Sequence, residues 1–427
     1  MGGERREGLR YGLLGRTLGH SWSPRIHELL GSVPYRLVEL EPDEVAPFVR
    51  EGQWLGLNVT IPYKSQAARL ADERTARVER LGVANTLLRR PDGSVLADNT
   101  DVLGFGLMLR RFCERELALS ADEALRGREA LVLGSGGASQ AVQAALEDRG
   151  AKVVVVSRRG PETYDGLAGR HPKAVLVVNT TPVGMYPSCP ASPLDDATLA
   201  ALPELAGVLD VVYNPERTGI CLAAERLSVP AESGLAMLVS QALYSSQLWQ
   251  GRELDEALVA RIEDEIRRET RNVVLIGMPG SGKTTCGREL ARLTGRPHVD
   301  LDQAFAERFG RGAAEVIEHE GEPRFREMET EVLAEFGRRS GQVLSCGGGV
   351  VTRPENLDLM RQNGTVVMLD RPLDQLSSRG RPLSRARGVE ALAAERMPLY
   401  RAWADLVVRC TGSARGDALE ISRRLGV

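Results

Sequence analysis

The chain is poor in aromatic residues, cysteine and histidine. Aromatic residues occupy 4% of its 427 positions, and the five histidines do not cluster. The six cysteines show no C-x-x-C spacing; they are Cys113, Cys189, Cys221, Cys286, Cys346 and Cys410. Neither a disulfide framework nor a zinc site is therefore predicted. Unpaired thiols are typical of a reducing compartment, so the sequence predicts a cytoplasmic protein.

Charge and hydropathy exclude two further classes of partner. The net charge is −3, which gives no electrostatic reason to expect nucleic acid. No stretch approaches the ~18 consecutive apolar residues of a membrane span. Residues 1–10 are charged and carry no apolar segment of a signal peptide. We therefore expect small-molecule partners, with no nucleic acid and no membrane, and the sequence leaves a homo-oligomer open.

What the chain does contain is a phosphate-binding motif well past its middle. Residues 277–285 read GMPGSGKTT and match G-x-x-x-x-G-K-[ST]. The apolar run 273–276 before them predicts a strand, and residues 284–293 predict a helix. Amides of such a loop surround phosphate oxygens, the lysine reaches the outer phosphates, and the following hydroxyl binds Mg²⁺. The predicted nucleotide-binding residues are Gly277, Gly280, Ser281, Gly282, Lys283, Thr284 and Thr285, with Lys283 also catalytic and Thr284 a metal ligand.

Because a P-loop strand is usually the first strand of its domain, the residues upstream must belong to a different functional unit. There, short polar clusters interrupt predicted strands and helices. Ser21 lies beside a helix start at which Ser23 is predicted as N-cap and Pro24 as the first helical residue. A strand that ends at Pro62 places Lys64 on a loop, and the clusters 83–86 and 98–104 follow. Taken one by one, such clusters are typical of caps and turns.

In their order along the chain and in their local sequences, these clusters resemble shikimate dehydrogenase. The resemblance implies that Lys64 and Asp101 form the catalytic pair, because reduction of a ketone by hydride leaves an alkoxide that needs a proton. It also implies a set of substrate-binding residues. The serines hold the carboxylate and the others surround the ring: Ser21, Ser23, Asn58, Thr60, Asn85, Asp101, Tyr213 and Gln241.

A second glycine-rich turn follows a predicted strand at 129–133. Ser139 stands where G-x-G-x-x-G has its third glycine, but residues 134–141 fit the G-x-G-G-x-x-x-A variant of the resembled family. The next strand, 152–156, ends in Ser-Arg-Arg, and arginine there suits the 2′-phosphate of NADP, although a merely solvated basic residue is the alternative. The predicted NADP(H)-binding residues are Gly134, Ser135, Gly136, Gly137, Ala138, Ser157, Arg158, Arg159, Thr180 and Gly234.

Beyond the P-loop, Asp300 and Asp302 are predicted to lie on the same side of a strand end, since alternate strand residues point the same way. With the segments 321–329, 347–349 and 396–400, they resemble shikimate kinase over nearly all residues after 271. The resemblance implies that shikimate is held by Asp302, Arg326, Gly348, Gly349 and Arg396. Asp302 also accepts the attacking hydroxyl's proton, Asp300 binds Mg²⁺ through water, and catalytic Arg381 comes from the ATP lid. Ser384 departs from the family pattern, and the segment 381–396 is a few residues short.

The sequence thus predicts an α/β protein: a two-lobed dehydrogenase with a Rossmann-type NADP-binding lobe, then a P-loop domain like a nucleoside-monophosphate kinase. The predicted boundaries are 8–105 for the substrate-binding lobe (completed by 235–255), 106–234 for the NADP-binding lobe, 256–270 for a linker helix and 271–427 for the kinase domain.

The predicted function is bifunctional. NADPH reduces 3-dehydroshikimate to shikimate in the first half, and Mg²⁺-ATP phosphorylates shikimate in the second. The cofactors are therefore NADP(H), ATP and Mg²⁺. Two alternatives stay open: a quinate/shikimate dehydrogenase that works oxidatively, and a metabolite sensor without catalysis. Acceptance of quinate and NAD would indicate the first, and damaged catalytic positions would indicate the second.

Overall fold

The computed structural model describes residues 9–19, 21–376 and 388–427. The chain divides into two compact units. The first comprises the chain up to Val183 together with Ser192–Asn214 and Ala223–Glu265; the second comprises Gly184–Ala191, Pro215–Leu222 and Ile266–Val427. Within the described ranges, no helix is both long enough and apolar enough to cross a bilayer.

The first sheet of the first unit has six strands in the order β2-β1-β3-β5-β6-β4. Their bounds are β1 Tyr11–Gly15, β2 Tyr35–Glu39, β3 Gly56–Val59, β4 Glu73–Arg74, β5 Thr86–Arg89 and β6 Val95–Asp98. The helices are α1 Ser23–Leu29, α2 Val45–Glu51, α3 Lys64–Leu70 and α4 Ala76–Leu81. Strands β1 and β3 are buried along their whole length, as expected for apolar runs at the centre of a sheet.

The second sheet is parallel throughout, in the order β11-β10-β9-β7-β8. Its strands are β7 Glu129–Leu133, β8 Lys152–Val156, β9 Ala174–Asn179, β10 Gly207–Asp210 and β11 Ala231–Glu232. Strand β7 lies between β8 and β9 in the sheet. The connection after β7 runs to one side and the connection into β9 runs to the other, which leaves a crevice beyond the carboxyl ends of β7 and β9. A ligand of a doubly wound sheet binds in such a crevice.

Helices connect and cover this sheet. Their bounds are α5 Thr100–Phe112, α6 Ala121–Leu125, α7 Gly137–Glu147, α8 Leu167–Arg170, α9 Asp196–Ala200, α10 Gly219–Arg226 and α11 Leu235–Gln250, with a π-helical turn at Cys113–Leu117. The predicted charged helix before the P-loop is α12, Ala257–Thr270. Its first part packs on α5, since Arg111 makes two bonds to the buried Glu263 carboxylate, at 3.1 and 2.9 Å.

The second unit is built on a parallel sheet in the order β13-β14-β12-β15-β16. The strands are β12 Asn272–Ile276, β13 His298–Asp300, β14 Val343–Ser345, β15 Gly364–Asp370 and β16 Leu406–Arg409. The helices are α13 Lys283–Thr294, α14 Leu301–Phe309, α15 Ala313–Glu320, α16 Glu322–Gly337, α17 Asn356–Arg361, α18 Val389–Trp403 and α19 Ala414–Leu425. The P-loop strand β12 is central and fully buried, so its loop opens in the middle of the sheet's carboxyl edge.

Candidate active sites

The predicted catalytic pair of the first unit is in direct contact. Lys64 Nζ lies 2.6 Å from Asp101 Oδ2, and the two side chains are 19% and 11% exposed. Lys64 is the first residue of α3 and Asp101 lies in the first turn of α5. The prediction that Lys64 lies on a loop was therefore wrong, because the helix begins two residues after Pro62. The pair places an ammonium group, hydrogen-bonded to a carboxylate, at the starts of α3 and α5.

Asn85 connects this pair to helix α11. Its Nδ2 lies 2.8 Å from Asp101 Oδ1 and 3.3 Å from Gln241 Oε1, and its Oδ1 accepts the Thr100 amide at 2.7 Å. Gln241 can come this close because α11 crosses α5 at a glycine: a Cβ at Gly104 would lie 2.8 Å from Gln241 Cβ. The structure thus brings the four predicted residues Lys64, Asp101, Asn85 and Gln241 together.

The two serines form the next part of the same region. Ser21 Oγ donates to Ser23 Oγ at 3.1 Å and accepts the Ser23 amide at 3.2 Å. Ser23 is the first residue of α1, whose N-cap is Trp22, so the prediction of Ser23 as the cap was wrong. The Trp22 ring packs against the Tyr213 ring at 5.2 Å, which brings Tyr213 from the end of β10 to the serine loop.

Asn58 is buried and Thr60 is half-buried, both at the carboxyl end of β3. Asn58 Nδ2 donates to Ser245 Oγ at 2.9 Å and to Thr86 Oγ1 at 3.3 Å. The Thr60 amide donates to the Leu14 carbonyl at 2.9 Å. The Thr60 methyl group faces Gly15, where a Cβ would lie 2.8 Å from it. Asn58 therefore contacts α11, and Thr60 packs against the end of β1.

Sequence reasoning missed the buried polar side chains behind these residues. They are His27, Thr86, Thr100 and Ser245, together with the half-buried Tyr35. In sequence they look like ordinary members of an amphipathic helix or strand. The available signal was chemical: His27 falls on the buried side of α1 beside Ser23 and Ile26, where an ionisable residue needs a partner.

The glycine-rich turn after β7 is shaped for a dinucleotide. Gly134 has φ +107° and a Cβ there would lie 2.8 Å from Thr180 Oγ1, so the turn packs directly on the loop after β9. A Cβ at Gly136 or Gly137 would meet nothing within 4 Å, so the start of α7 is open on that side. Ser139, at the missing third glycine, is buried and donates to the Gly134 carbonyl at 2.7 Å.

This geometry fits a pyrophosphate at the α7 N-terminus, where unpaired amides and the helix dipole favour negative charge. Ser135 and Ala138 flank that position. After β8, the Ser157 amide donates to the Glu162 carbonyl at 2.9 Å, and Arg158 and Arg159 are exposed on the turn that this bond closes. Gly234, the N-cap of α11, is the closest-packed of the predicted group, since a Cβ there would lie 2.2 Å from the Val211 carbonyl oxygen.

In the second unit, the P-loop has the predicted strand–loop–helix context. Gly277, Gly280 and Gly282 adopt φ values of +140°, +94° and +96°, which L side chains rarely adopt. Lys283 begins α13, and its Nζ lies 2.8 Å from the Gly277 carbonyl and 3.0 Å from that of Met278. The ammonium group therefore lies against the carbonyl groups at the start of the loop. Ser281 is buried beneath it and Thr285 is exposed on α13.

Asp300 and Asp302 differ from the prediction. Asp300 ends β13 and caps α14, accepting the Asp302 amide at 3.0 Å, while Asp302 lies in the first turn of α14. The alternation argument was wrong because the chain turns from strand to helix between them. Thr284 Oγ1 donates to Asp300 Oδ2 at 2.7 Å, so a hydroxyl and a carboxylate meet at the P-loop. Such hard oxygen ligands fit Mg²⁺.

Two arginines are buried at the other end of this site. Arg396 is 2% exposed, and its Nη1 donates to the Gly348 carbonyl at 3.2 Å. Arg326 pairs with Glu329 at 2.7 Å and with Glu322 at 2.9 Å. Among the described residues, Arg326 Nε and Arg396 Nε and Nη2 have no hydrogen-bond partner. Buried guanidinium donors without acceptors are costly, so the arrangement fits an anionic ligand that supplies them.

The 347–349 turn lies between the P-loop and these arginines. A Cβ at Gly348 would lie 2.6 Å from Pro279 Cγ, and one at Gly349 would lie 2.0 Å from Arg326 Cζ. Sequence reasoning did not assign a role to Glu329, which is buried and whose pKa is raised by burial. It orients Arg326. The predicted lid residue Arg381, with Ser384, lies outside the described residues.

Comparison with known proteins matches both halves. The family model for the shikimate dehydrogenase substrate binding domain matches residues 13–87, and that for shikimate kinase matches residues 279–425. A shikimate dehydrogenase (NADP(+)) from Oleidesulfovibrio alaskensis is 38% identical over 57% of this chain and 90% of its own length.

Solved structures agree. A chorismate mutase/shikimate 5-dehydrogenase fusion protein from Clostridium acetobutylicum is 34% identical with a TM-score of 0.54, covering 60% of this chain and 97% of that one. A shikimate 5-dehydrogenase from Thermus thermophilus, in complex with NADP(H) and shikimate, is 27% identical with a TM-score of 0.51, covering 60% and 99%. The chain therefore belongs to the shikimate dehydrogenase family and carries a shikimate kinase domain after its dehydrogenase, as a bifunctional enzyme of the shikimate pathway.

Proposed function

We propose that the first half reduces 3-dehydroshikimate to shikimate with NADPH, and that the second half phosphorylates shikimate to shikimate 3-phosphate with Mg²⁺-ATP. The observation that carries the first step is the 2.6 Å contact between Lys64 Nζ and Asp101 Oδ2. NADPH supplies the hydride in this reaction. Lys64 donates the proton to the ketone oxygen as negative charge develops there, and Asp101 holds the ammonium group in place.

Substrate recognition follows from the groups around that pair. The Ser21 and Ser23 hydroxyls are 3.1 Å apart at the start of α1 and can turn together toward a carboxylate. Asn85, already bonded to Asp101, offers its amide to a ring hydroxyl. Tyr213 packs on Trp22 and covers the serine loop from the NADP-binding side. The relative from Thermus thermophilus, solved with NADP(H) and shikimate, supports this assignment.

The observation that carries the second step is the set of unpartnered donors on Arg326 and Arg396. A planar carboxylate can accept hydrogen bonds from two guanidinium groups, and shikimate carries one carboxylate. The Gly348–Gly349 backbone lets the ring approach, because a side chain there would collide with Pro279 or Arg326. Asp302 accepts the proton of the attacking hydroxyl, while Lys283 and the P-loop amides hold the phosphates.

One assay tests both steps. Purified full-length protein is given 3-dehydroshikimate, NADPH, ATP and Mg²⁺, and loss of NADPH absorbance and formation of shikimate 3-phosphate are followed together. We expect both, with product formation delayed relative to NADPH loss. NADPH loss without phosphate transfer would contradict the kinase assignment, and the absence of NADPH oxidation would contradict the reductase assignment.

A parallel assay addresses the oxidative alternative. Quinate and shikimate are offered with NAD⁺ and with NADP⁺. We expect shikimate with NADP⁺ to be preferred, because Arg158 and Arg159 lie exposed after β8, where NADP carries its 2′-phosphate. Preference for quinate with NAD⁺ would favour the quinate/shikimate dehydrogenase instead.

A further inference from the structure

A histidine and a tyrosine that the proposed proton transfer does not use share one acceptor behind the dehydrogenase site. His27 is fully buried, and its ring stacks on Tyr35 at 4.2 Å and on Trp249 at 5.2 Å. His27 Nε2 lies 2.9 Å from Asn58 Oδ1, and the Tyr35 hydroxyl donates to the same oxygen at 2.9 Å. One amide oxygen therefore receives both contacts.

The protonation of His27 follows from its other neighbours. Gln250 Nε2 donates to Ser32 Oγ at 3.0 Å, and Ser32 Oγ donates to Ser246 Oγ at 2.7 Å. Ser246 Oγ, which accepts from Ser32, has its own hydrogen to donate to His27 Nδ1, 3.2 Å away. His27 Nε2 faces the Asn58 oxygen, which can only accept. Nδ1 is thus an acceptor and Nε2 carries the proton. Burial lowers the pKa of His27 to about 3, so the ring is neutral at physiological pH.

Two donors facing one side of the Asn58 amide permit a single orientation. A flipped amide would place its NH₂ group against the His27 N–H and the Tyr35 O–H, leaving the buried His27 donor unsatisfied. The observed orientation directs Nδ2 to Ser245 at 2.9 Å and to Thr86 at 3.3 Å. The Thr86 contact is the longer of the two, and it is the one that an incoming hydroxyl oxygen can replace.

We propose that His27 and Tyr35 are positioning residues of the dehydrogenase, which fix the Asn58 amide with its NH₂ group toward a substrate hydroxyl. The inference rests on the proposed binding of 3-dehydroshikimate beside Asn58. It assigns Asn58 the part of a donor, so the site selects a ligand that presents a hydroxyl oxygen with a free lone pair at this position. Without the two donors behind it, the amide could present its oxygen instead.

The Tyr35→Phe variant tests the positioning step, because it removes one hydroxyl and keeps the ring that stacks on His27. We expect KM for 3-dehydroshikimate to rise about 2- to 10-fold, the range for one neutral hydrogen bond. The kcat value and KM for NADPH should stay within about twofold, since neither the proton donor nor the cofactor loop is touched. The matched control is Tyr11→Phe: Tyr11 is the register partner of Tyr35 and stacks on Trp249. It should change neither constant.

The Asn58→Asp variant tests which amide atom faces the substrate. Aspartate keeps an oxygen for His27 and Tyr35 but replaces the NH₂ donor with an acceptor. We expect its KM to be at least as high as that of Asn58→Ala. A parental KM in Asn58→Asp would overturn the proposal. The double variant Tyr35→Phe/Asn58→Ala gives a second check. If Tyr35 acts through Asn58, its substitution should not raise KM further once Asn58 is alanine. A KM in the double variant that equals the product of the two separate fold-changes would therefore also overturn the proposal.

A measurement without substrate checks the same geometry independently of turnover. Long-range ¹H–¹⁵N NMR of the His27 ring should show a proton on Nε2, and a proton on Nδ1 would overturn the proposal. Failure of the proposed function is recognised separately, since the unmodified chain would then not reduce 3-dehydroshikimate. A parental KM in Tyr35→Phe, with an active unmodified chain, contradicts only the present inference.

Discussion

At the scale of single residues, Lys64 is the side chain on which the reductase proposal depends. We expect Lys64→Ala to lower reductase turnover on the order of 10²–10⁴-fold, the usual loss for a missing proton donor. Kinase turnover with added shikimate should be unchanged. Lys173→Ala, which removes an exposed lysine of the same unit, is the control and should retain full activity. A reductase rate within twofold of the parent would remove Lys64 from the mechanism.

His27 should make the dehydrogenase unit sensitive to acid. Burial lowers its pKa to about 3 from 6.5. Below pH 6.5 the unfolded chain binds a proton that the folded protein does not, so stability is fully present above pH 6.5 and is lost as the pH falls toward 3. The slope is about 1.4 kcal/mol per pH unit for one proton. Urea unfolding at several pH values measures it.

The control for this pH dependence uses two variants. His27→Phe should lack this part of the slope, whereas His319→Phe, which replaces an exposed histidine, should keep it. If the two variants and the parent lose stability in parallel between pH 6.5 and 4, burial of neutral His27 is not the cause.

Residues that we propose to contact ligands were easier to predict than the buried residues that support them. The resemblance assigned Lys64, Asp101 and Arg326 to a site, and the structure places each beside other predicted residues, Arg326 beside Gly349. Glu329 pairs with Arg326 three positions earlier on α16, and it was missed because the burial of that pair depends on the folded packing. His27 was missed because its partner comes from a distant element, and sequence spacing shows only neighbours on one element. Asn58, 31 positions after His27, shows how far such a partner can lie.

At the scale of elements, the crossing of α5 and α11 positions Gln241. A Cβ at Gly104 would lie 2.8 Å from both the Cβ and the amide nitrogen of Gln241 and 2.9 Å from the Met237 carbonyl. We expect Gly104→Ala to destabilise the first unit by about 1–3 kcal/mol through overpacking. It should also raise KM for 3-dehydroshikimate, because Gln241 must move. Urea unfolding and steady-state kinetics measure the two effects.

Gly106 is the matched control on the same helix. A Cβ there would meet nothing within 4 Å, so Gly106→Ala should be neutral or stabilising by up to about 1 kcal/mol, as expected when alanine replaces a helical glycine. Equal destabilisation by the two substitutions would show that helix propensity rather than the close crossing governs this position.

Strands of the parallel sheets could be predicted almost to the residue. The predicted ranges 129–133 and 152–156 are those of β7 and β8. Continuous apolar runs between glycines and polar residues give such strands clear ends. The errors fall at the starts of helices: α3 already begins at Lys64, two residues after Pro62, and β13 passes directly into α14 between Asp300 and Asp302. The exact first residue of a helix depends on the folded backbone and its capping.

At the scale of the whole molecule, each half has a glycine-rich loop at the carboxyl edge of a parallel sheet. The NADP-binding loops follow β7 and β9, and the P-loop follows β12. In both, a helix begins directly after the loop, and the amides of such a helix N-terminus favour phosphate groups. The two glycine-rich motifs in the sequence predicted this arrangement in both halves. The sequence did not show that the compact second unit includes Gly184–Ala191 and Pro215–Leu222, since such packing has no local pattern.

These upstream segments make specific contacts inside the second unit. Glu216 pairs with Arg271, with Nε and Oε2 2.8 Å apart. The Glu216 amide donates to Asn363 Oδ1, and the Arg217 amide donates to the Gln362 carbonyl, both at 2.8 Å. The side chains of Asn363 and Gln362 are buried. A fragment that begins at residue 266 loses all of these contacts, although it keeps the whole sheet and all described kinase residues.

We therefore expect the fragment 266–427 to fold and to phosphorylate shikimate, but to unfold at a lower temperature than the second unit does in the full chain. The sheet and its two buried clusters lie within the fragment, whose length suffices for a self-sufficient core. Shikimate-dependent ADP release and thermal unfolding measure the two properties. Glu216→Ala in the full chain is the partial control and should lower the unfolding temperature of the second unit less than truncation does. If the fragment is insoluble or inactive while the full chain is active, the segments 184–191 and 215–222 are required parts of the kinase fold.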